Sequence, residues 1–190
     1  MSSVLVSTYP GVSLHGKSVE LLSNGIRSNR TCSIQISNHL NVPLTGPSFY
    51  NFLGVPYFNP QPAIQPKTRE ACSFAKKRDA PLGVKGVMTY QVGDSPLRFA
   101  VMFSVPYNQL AERNHFGVAF LDDSSVNCGL VGSSLFSRMY NDETFYGRPD
   151  RKMCPANGSI RLWIDNGDYG ICGTMNERGK AIIKLDIVPM

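Results

Sequence analysis

FAVMFSVPYNQLAERNHFGVAF, residues 99–120, is the stretch from which the rest of the chain can be read. Its first half has strand character: Phe99, Val101, Phe103 and Val105 point one way, Ala100, Met102 and Ser104 the other. Both sets are mostly apolar, so this strand is expected to be covered on both faces, as in the middle of a sandwich. Pro106 ends it, because proline lacks the N–H a ladder needs and fixes φ. The loop Asn108 to Asn114 carries both charges of the run, Glu112 and Arg113, and a second strand is expected over His115 to Leu121.

Working outward, residues 83–92 (GVKGVMTYQV) form a strong strand, and Gly93-Asp94-Ser95-Pro96 turns it into the opening stretch as a hairpin. Gly83 and Gly86 within that strand point to a bulge or a close backbone approach. Upstream, Thr31 to Ile36 alternates with period 2, and Asn38 to Pro43 is a turn. The proline- and aromatic-rich residues 43–66 read as an edge strand followed by a long loop, and Ala71 to Ala75 as a short strand. Downstream, Ser133 to Glu143 is expected to be a short helix capped by Ser133 or Ser134. Ser159 to Ile164 and Tyr169 to Thr174 pair about Asp165-Asn166-Gly167, where Asn-Gly chemistry favours a tight turn, and Lys180 to Val188 closes the sheet. The reading is all-β: a sandwich with two short helices.

The 190 residues suit a single domain, 1–190, with an N-terminal segment 1–30 and the sandwich over 31–190. Net charge is +5 and dispersed, with short basic clusters at Lys76 to Arg78 and Arg148 to Lys152. These clusters read as solvated faces or as attraction to an anionic membrane. Nucleic acid is excluded as a partner, because no aromatic platform is interleaved with dense basic residues. The five cysteines, Cys32, Cys72, Cys128, Cys154 and Cys172, are widely spaced without a CxxC or Cys/His pattern, so no metal site is expected. Cys32 and Cys72 read as buried, reduced thiols. The histidines, His15, His39 and His115, are scattered with no nucleophile or phosphate-loop motif near them, so no catalytic residues, no cofactor and no enzyme activity are expected. The single tryptophan, Trp163, is expected in the core.

The first residues, MSSVLVSTYPGVS, lack a basic n-region and a continuous apolar run. They do not read as a signal peptide, which suggests a soluble intracellular protein or unconventional release, with association at a target membrane. From Gly11 onward the sequence is amphipathic at ~100° per residue. Val12, Val19, Leu22 and Ile26 fall on one side of the wheel, Lys17, Glu20, Asn24 and Arg27 opposite.

The hairpin of residues 83–107, the FSVPY turn, the helix carrying Met139-Tyr140 followed by Phe145-Tyr146, and the closing strand KAIIKLDIV together resemble the actinoporins, pore-forming cytolysins of sea anemones. More specifically they resemble the actinoporin-like proteins of other animal lineages, over residues 70–188 with good spacing and residues 11–69 more loosely. The resemblance implies a shallow pocket for the phosphocholine headgroup of sphingomyelin, in which Ser104, Pro106, Tyr140, Phe145 and Tyr146 hold matching positions, with Lys85 beside them. Aromatic faces hold a quaternary ammonium, which has no N–H to donate, by cation–π attraction. The resemblance also makes Glu112, Arg113, His115 and Phe116 a membrane or ligand loop, and Val12, Val19, Leu22 and Ile26 a helix that lines a pore. Alanine, glutamate and histidine stand in this loop where the family carries interfacial tryptophan and tyrosine.

Two functions are therefore carried forward. One is a membrane-lipid-binding, pore-forming protein that docks through the aromatic pocket, inserts its N-terminal helix and forms a homo-oligomer. The alternative is a monomeric, non-lytic, lectin-like or headgroup-recognising module, in which Asn108, Gln109, Glu112, Arg113 and Asn114 offer hydrogen bonds to carbohydrate.

Overall fold

The computed structural model describes residues 14, 16–122, 131–156 and 161–190. Its strands, in chain order, are β1 (Thr31–Asn38), β2 (Leu44–Leu53), β3 (Val55–Phe58), β4 (Ala63–Ile64), β5 (Arg69–Ala75), β6 (Val84–Val92), β7 (Arg98–Val105), β8 (His115–Leu121), β9 (Arg151–Pro155), β10 (Leu162–Asp165), β11 (Tyr169–Met175) and β12 (Lys180–Pro189). They form two six-stranded sheets, β10-β11-β12-β1-β5-β3 and β4-β2-β6-β7-β8-β9. Within the first sheet β1 runs parallel to β12, from Thr31 beside Lys180 to Asn38 beside Ile187. The expected sandwich is the observed one.

The two sheets meet over one apolar core, and β7 explains its position. Phe99, Val101, Phe103 and Val105 face the opposite sheet, where Phe103 stacks on Phe74 of β5 with ring centroids 4.8 Å apart. Ala100 and Met102 face outward yet are equally buried, because helix α2 (Gly132–Asn141) covers them with Leu135, Phe136 and Met139. Those three residues recur at helical spacing and form the apolar stripe of α2. On the outer face of the other sheet, the short helix α1 (Val19–Asn24) packs Val19 against Ala71, together with Leu14 and the partly buried Leu22. Cys32 and Cys72 are free thiols buried in the core, as expected, and burial raises both well above the usual thiol range.

Several local expectations are corrected. Residues 43–66 are not an edge strand and a loop: they hold β2, which pairs with both β4 and β6, and the edge strand β3 of the other sheet. Prolines are accommodated there by position. Pro47 falls within a register shift of the β2–β6 ladder, and Pro56 lies on an edge strand. Neither Ser133 nor Ser134 is the cap of α2. Val131 holds that position, and the Ser134 hydroxyl reaches back, accepting from the Val131 N–H at 3.2 Å and donating to its carbonyl at 2.8 Å. Trp163 is not core: it lies on β10 with 44% of its surface exposed, its ring laid over Gly170 of β11. The helix expected from Gly11 is, among the described residues, only the six residues of α1, preceded by Gly16 at φ +83°. Val12 and Cys128 lie outside the described residues.

The close approach inferred at Gly83 and Gly86 is present. A Cβ on Gly86 would stand 2.6 Å from the Tyr50 carbonyl oxygen and 2.9 Å from the Phe103 ring. Backbone on one side and a buried ring on the other leave nothing to yield. Gly86→Ala is expected to destabilise by ~1–3 kcal/mol, lowering the urea midpoint without changing the m-value.

Candidate functional site

Three outward-facing residues of adjacent strands lie side by side: Lys85 on β6 pairs with Ser104 on β7, which pairs with His115 on β8. The C-terminal end of α2 sets Tyr140 above this row. The Tyr140 ring stacks on His115 at 5.3 Å and on Phe136, one helical turn earlier, also at 5.3 Å. Phe136 in turn stacks on the exposed Phe52 of β2 at 5.1 Å. The result is a continuous stack of four rings along the outer face of the second sheet.

A charged triad closes over one end of the stack. The Lys85 ammonium lies 4.6 Å from the centre of the Tyr140 ring and donates to both the Tyr140 hydroxyl oxygen and Glu112. The Tyr140 hydroxyl donates to the same Glu112 oxygen at 2.9 Å. Lys85 is largely buried while Glu112 stays half exposed. Beneath them the Ser104 side chain is fully buried, and its hydroxyl has no hydrogen-bond partner among the described residues. A hydroxyl placed there can exchange hydrogen bonds with a polar group that enters between Lys85 and Tyr140.

Burial works against each charge here, and the outcome depends on the partners. Burial would lower the Lys85 ammonium, but its bonds to Tyr140 and Glu112 outweigh that and hold it above its usual value. Burial would raise the Glu112 carboxyl, but Lys85 and Tyr140 hold it below the usual carboxylate range. His115 goes the other way. Desolvation dominates its bond to the Arg113 carbonyl and the nearby Glu112 charge, and its imidazole is depressed.

Of the residues anticipated from sequence, Lys85, Ser104, Tyr140, Glu112 and His115 converge. The others do not. Phe145 is 2% exposed and belongs to the layer beneath α2, with the Arg151 guanidinium 4.3 Å from its ring centre. Tyr146 turns its hydroxyl inward to the Met139 carbonyl at 2.6 Å, against Gly117, where burial raises it. Pro106 is buried, and its carbonyl accepts from Arg30. Phe116 faces the core between the sheets and packs beside Gly173, so it is not a loop aromatic. Arg113 is exposed and outside the triad. Val19 and Ile26 are buried against the sandwich and Leu22 partly so.

The loop amides suggested for carbohydrate are engaged internally. Asn114 donates to the Asn176 and Arg178 carbonyls, Gln109 to Asn114 and the Glu177 carbonyl, and the Asn108 side chain accepts from the Leu110 N–H. This fastening leaves Leu110 wholly exposed at the loop tip and Tyr107 42% exposed, with Arg30 over its ring at 5.4 Å. Phe136 and Phe52 were missed by sequence reading. Phe136 had a usable signal, since it precedes Tyr140 by four residues on one helix.

Two sheets with a helix on each outer face, and an aromatic and charged cluster at the end of one helix, define an actinoporin-like sandwich. No family model matches the chain. The chain is similar to Tereporin-Ca1 of Terebra anilis, 31% identical over 191 residues covering 96% of this chain and 94% of that protein. It is also similar to Conoporin-Cn1 of Conus consors, 35% identical over 187 residues covering 95% and 71%. The crystal structure of the lipid-binding protein Nakanori shares the fold, with a TM-score of 0.68 at 14% identity over 89% of this chain and 75% of that one. The chain belongs to the actinoporin-like family.

The site carries a pH dependence of definite sign. Glu112, with a depressed carboxyl, stabilises fully above the unfolded carboxylate range and loses that contribution as pH falls through its folded value. His115 is held neutral in the fold, so the unfolded chain, where the same imidazole takes up a proton below about pH 6.5, is favoured as pH falls. Both effects weaken the fold on acidification. Thermal melts are expected to lose less Tm between about pH 7 and 5 in His115→Gln than in the parent protein, with Glu112→Gln flattening the curve below about pH 5.

Proposed function

We propose that the protein is a membrane-binding, pore-forming member of its family that recognises a phosphocholine headgroup at the Tyr140 site. The observation that carries this reading is the Lys85 ammonium held 4.6 Å from the Tyr140 ring centre, a geometry in which this ring accepts a cation. On docking, the headgroup trimethylammonium takes that place between the ring and Glu112. The displaced Lys85 turns to the phosphate, and its movement uncovers the orphan hydroxyl of Ser104 for the same phosphate. Exposed Leu110, Tyr107 and Phe52, with the basic residues Lys76 to Arg78 on the loop between β5 and β6, supply contact with the interface. The relatives Tereporin-Ca1 and Conoporin-Cn1, whose names end in -porin, and the lipid-binding neighbour Nakanori support the general reading.

Insertion follows from the N-terminal segment. Release of α1 exposes Leu14, Val19 and Ile26, each worth ~1.5–3 kcal/mol when buried, and this cost is offset when the same side chains enter lipid. Homo-oligomerisation on the membrane gathers the released segments around one pore.

Dye-loaded vesicles with and without sphingomyelin test the reading. Dye release is expected from sphingomyelin vesicles, with Tyr140→Ala needing at least about tenfold more protein for the same binding and Tyr140→Phe close to the parent protein. A bifunctional thiol reagent bridging cysteines introduced at Glu20 and Lys184, whose native side-chain tips meet at 2.6 Å, is expected to keep binding and abolish release. Absence of both binding and release at micromolar protein would overturn the proposal.

A further inference from the structure

The opposite end of α2 overhangs a second, unrelated cavity of about 230 Å³ on the outer face of the second sheet. Val87, Leu121 and Leu135, all fully buried, form its floor and walls, and the exposed Val131 stands at the mouth. Arg98 of β7 is the one charged side chain in this lining among the described residues. Its guanidinium is anchored on one side only. Nε and Nη2 donate to the Thr89 hydroxyl at 3.1 and 2.8 Å, and Nη2 also donates to the Gly46 carbonyl. Nη1 donates to no described group, and no described carboxylate pairs with Arg98.

A half-buried guanidinium without a counter-charge is costly, and desolvation depresses Arg98 accordingly. Among the described residues the cavity thus joins a single cation, with no carboxylate paired to it, to apolar walls. We infer that it binds a small amphiphile with a carboxylate head, a fatty acid whose carboxylate meets Arg98 and whose alkyl chain lies against Val87, Leu121 and Leu135. A carboxylate fits better than a phosphate monoester because one cation matches one negative charge, whereas the phosphate carries about −1.5 to −2. The cavity of about 230 Å³ takes the first part of an alkyl chain, and further carbons leave by the mouth. Binding here needs no membrane and no part of the Tyr140 site.

Octanoate titrated into the full chain, followed by methyl NMR shifts of Val87, Leu121 and Leu135, tests this. Saturable shifts are expected, at least tenfold tighter than for octanol, which lacks the charge, and weaker for acetate, which lacks the chain. Arg98→Gln is expected to weaken octanoate at least tenfold. Val131→Trp, at an exposed position that leaves the Arg98 bonds intact, is expected to close the mouth and do the same, with melting curves checking that both variants fold. Octanol binding as tightly as octanoate, octyl phosphate binding more tightly, or no saturable shift with octanoate would each overturn the inference.

Discussion

Strand β7 must satisfy two apolar surfaces at once, because Phe99 to Val105 alternates between the core shared by the sheets and the layer beneath α2. A strand buried on both faces cannot slip by one residue without exchanging Phe103 for Met102 across the sheet. Its neighbours inherit the register: β6 and β8 pair along its whole length, and β2 and β9 pair in turn with them. The glycines mark where this layering is tightest. Gly86 admits the Tyr50 carbonyl and the Phe103 ring, and Gly117 admits the Tyr146 hydroxyl, so a side chain at either position would push two layers apart.

That register also assembles the polar cluster. Lys85, Ser104 and His115 are far apart in sequence and meet only because three strands run in fixed register, all three facing outward. The helix that completes the site is aligned by its own apolar stripe, since seating Leu135, Phe136 and Met139 leaves Tyr140 at the edge of the buried layer. One helix thus covers both ends of the same sheet face. At one end the cation is saturated by a ring, a hydroxyl and a carboxylate; at the other, Arg98 has hydrogen bonds but, among the described residues, no counter-charge.

Much of the scaffold is legible in the sequence, because period-2 runs such as residues 84–92 and 98–105 state their own strand character and their turns. What stays hidden is the direction a side chain takes once partners are chosen. Phe116 and Trp163 show this: the resemblance puts Phe116 in a membrane or ligand loop, and Trp163 of the late hairpin is expected in the core, yet register sends Phe116 into the core and lays Trp163 over Gly170 on an outer face. The resemblance puts Phe145 and Tyr146 in the headgroup pocket. The 3₁₀ turn over Glu143–Tyr146 rolls both inward, one against Arg151 and the other onto a helix carbonyl. Strands in the 43–66 region were masked by proline, whose tolerance at a bulge and an edge depends on topology that composition does not disclose.

The N-terminal segment is attached differently from everything else. Its apolar contacts, Leu14, Val19 and Ala71 with Leu22 and Ile182, form a cluster separate from the core between the sheets. Its polar ties are equally local: Leu14 N–H to Glu70, Glu20 to Lys184, and Lys180 to the Ile26 carbonyl. Removing α1 would uncover one outer patch of the first sheet while leaving every strand pairing intact, including the parallel β1–β12 ladder beneath it. A segment held by its own small cluster opens at a free energy well below that of global unfolding. The sandwich is therefore built to survive the loss of its first helix, as the proposed release of that segment into a bilayer requires.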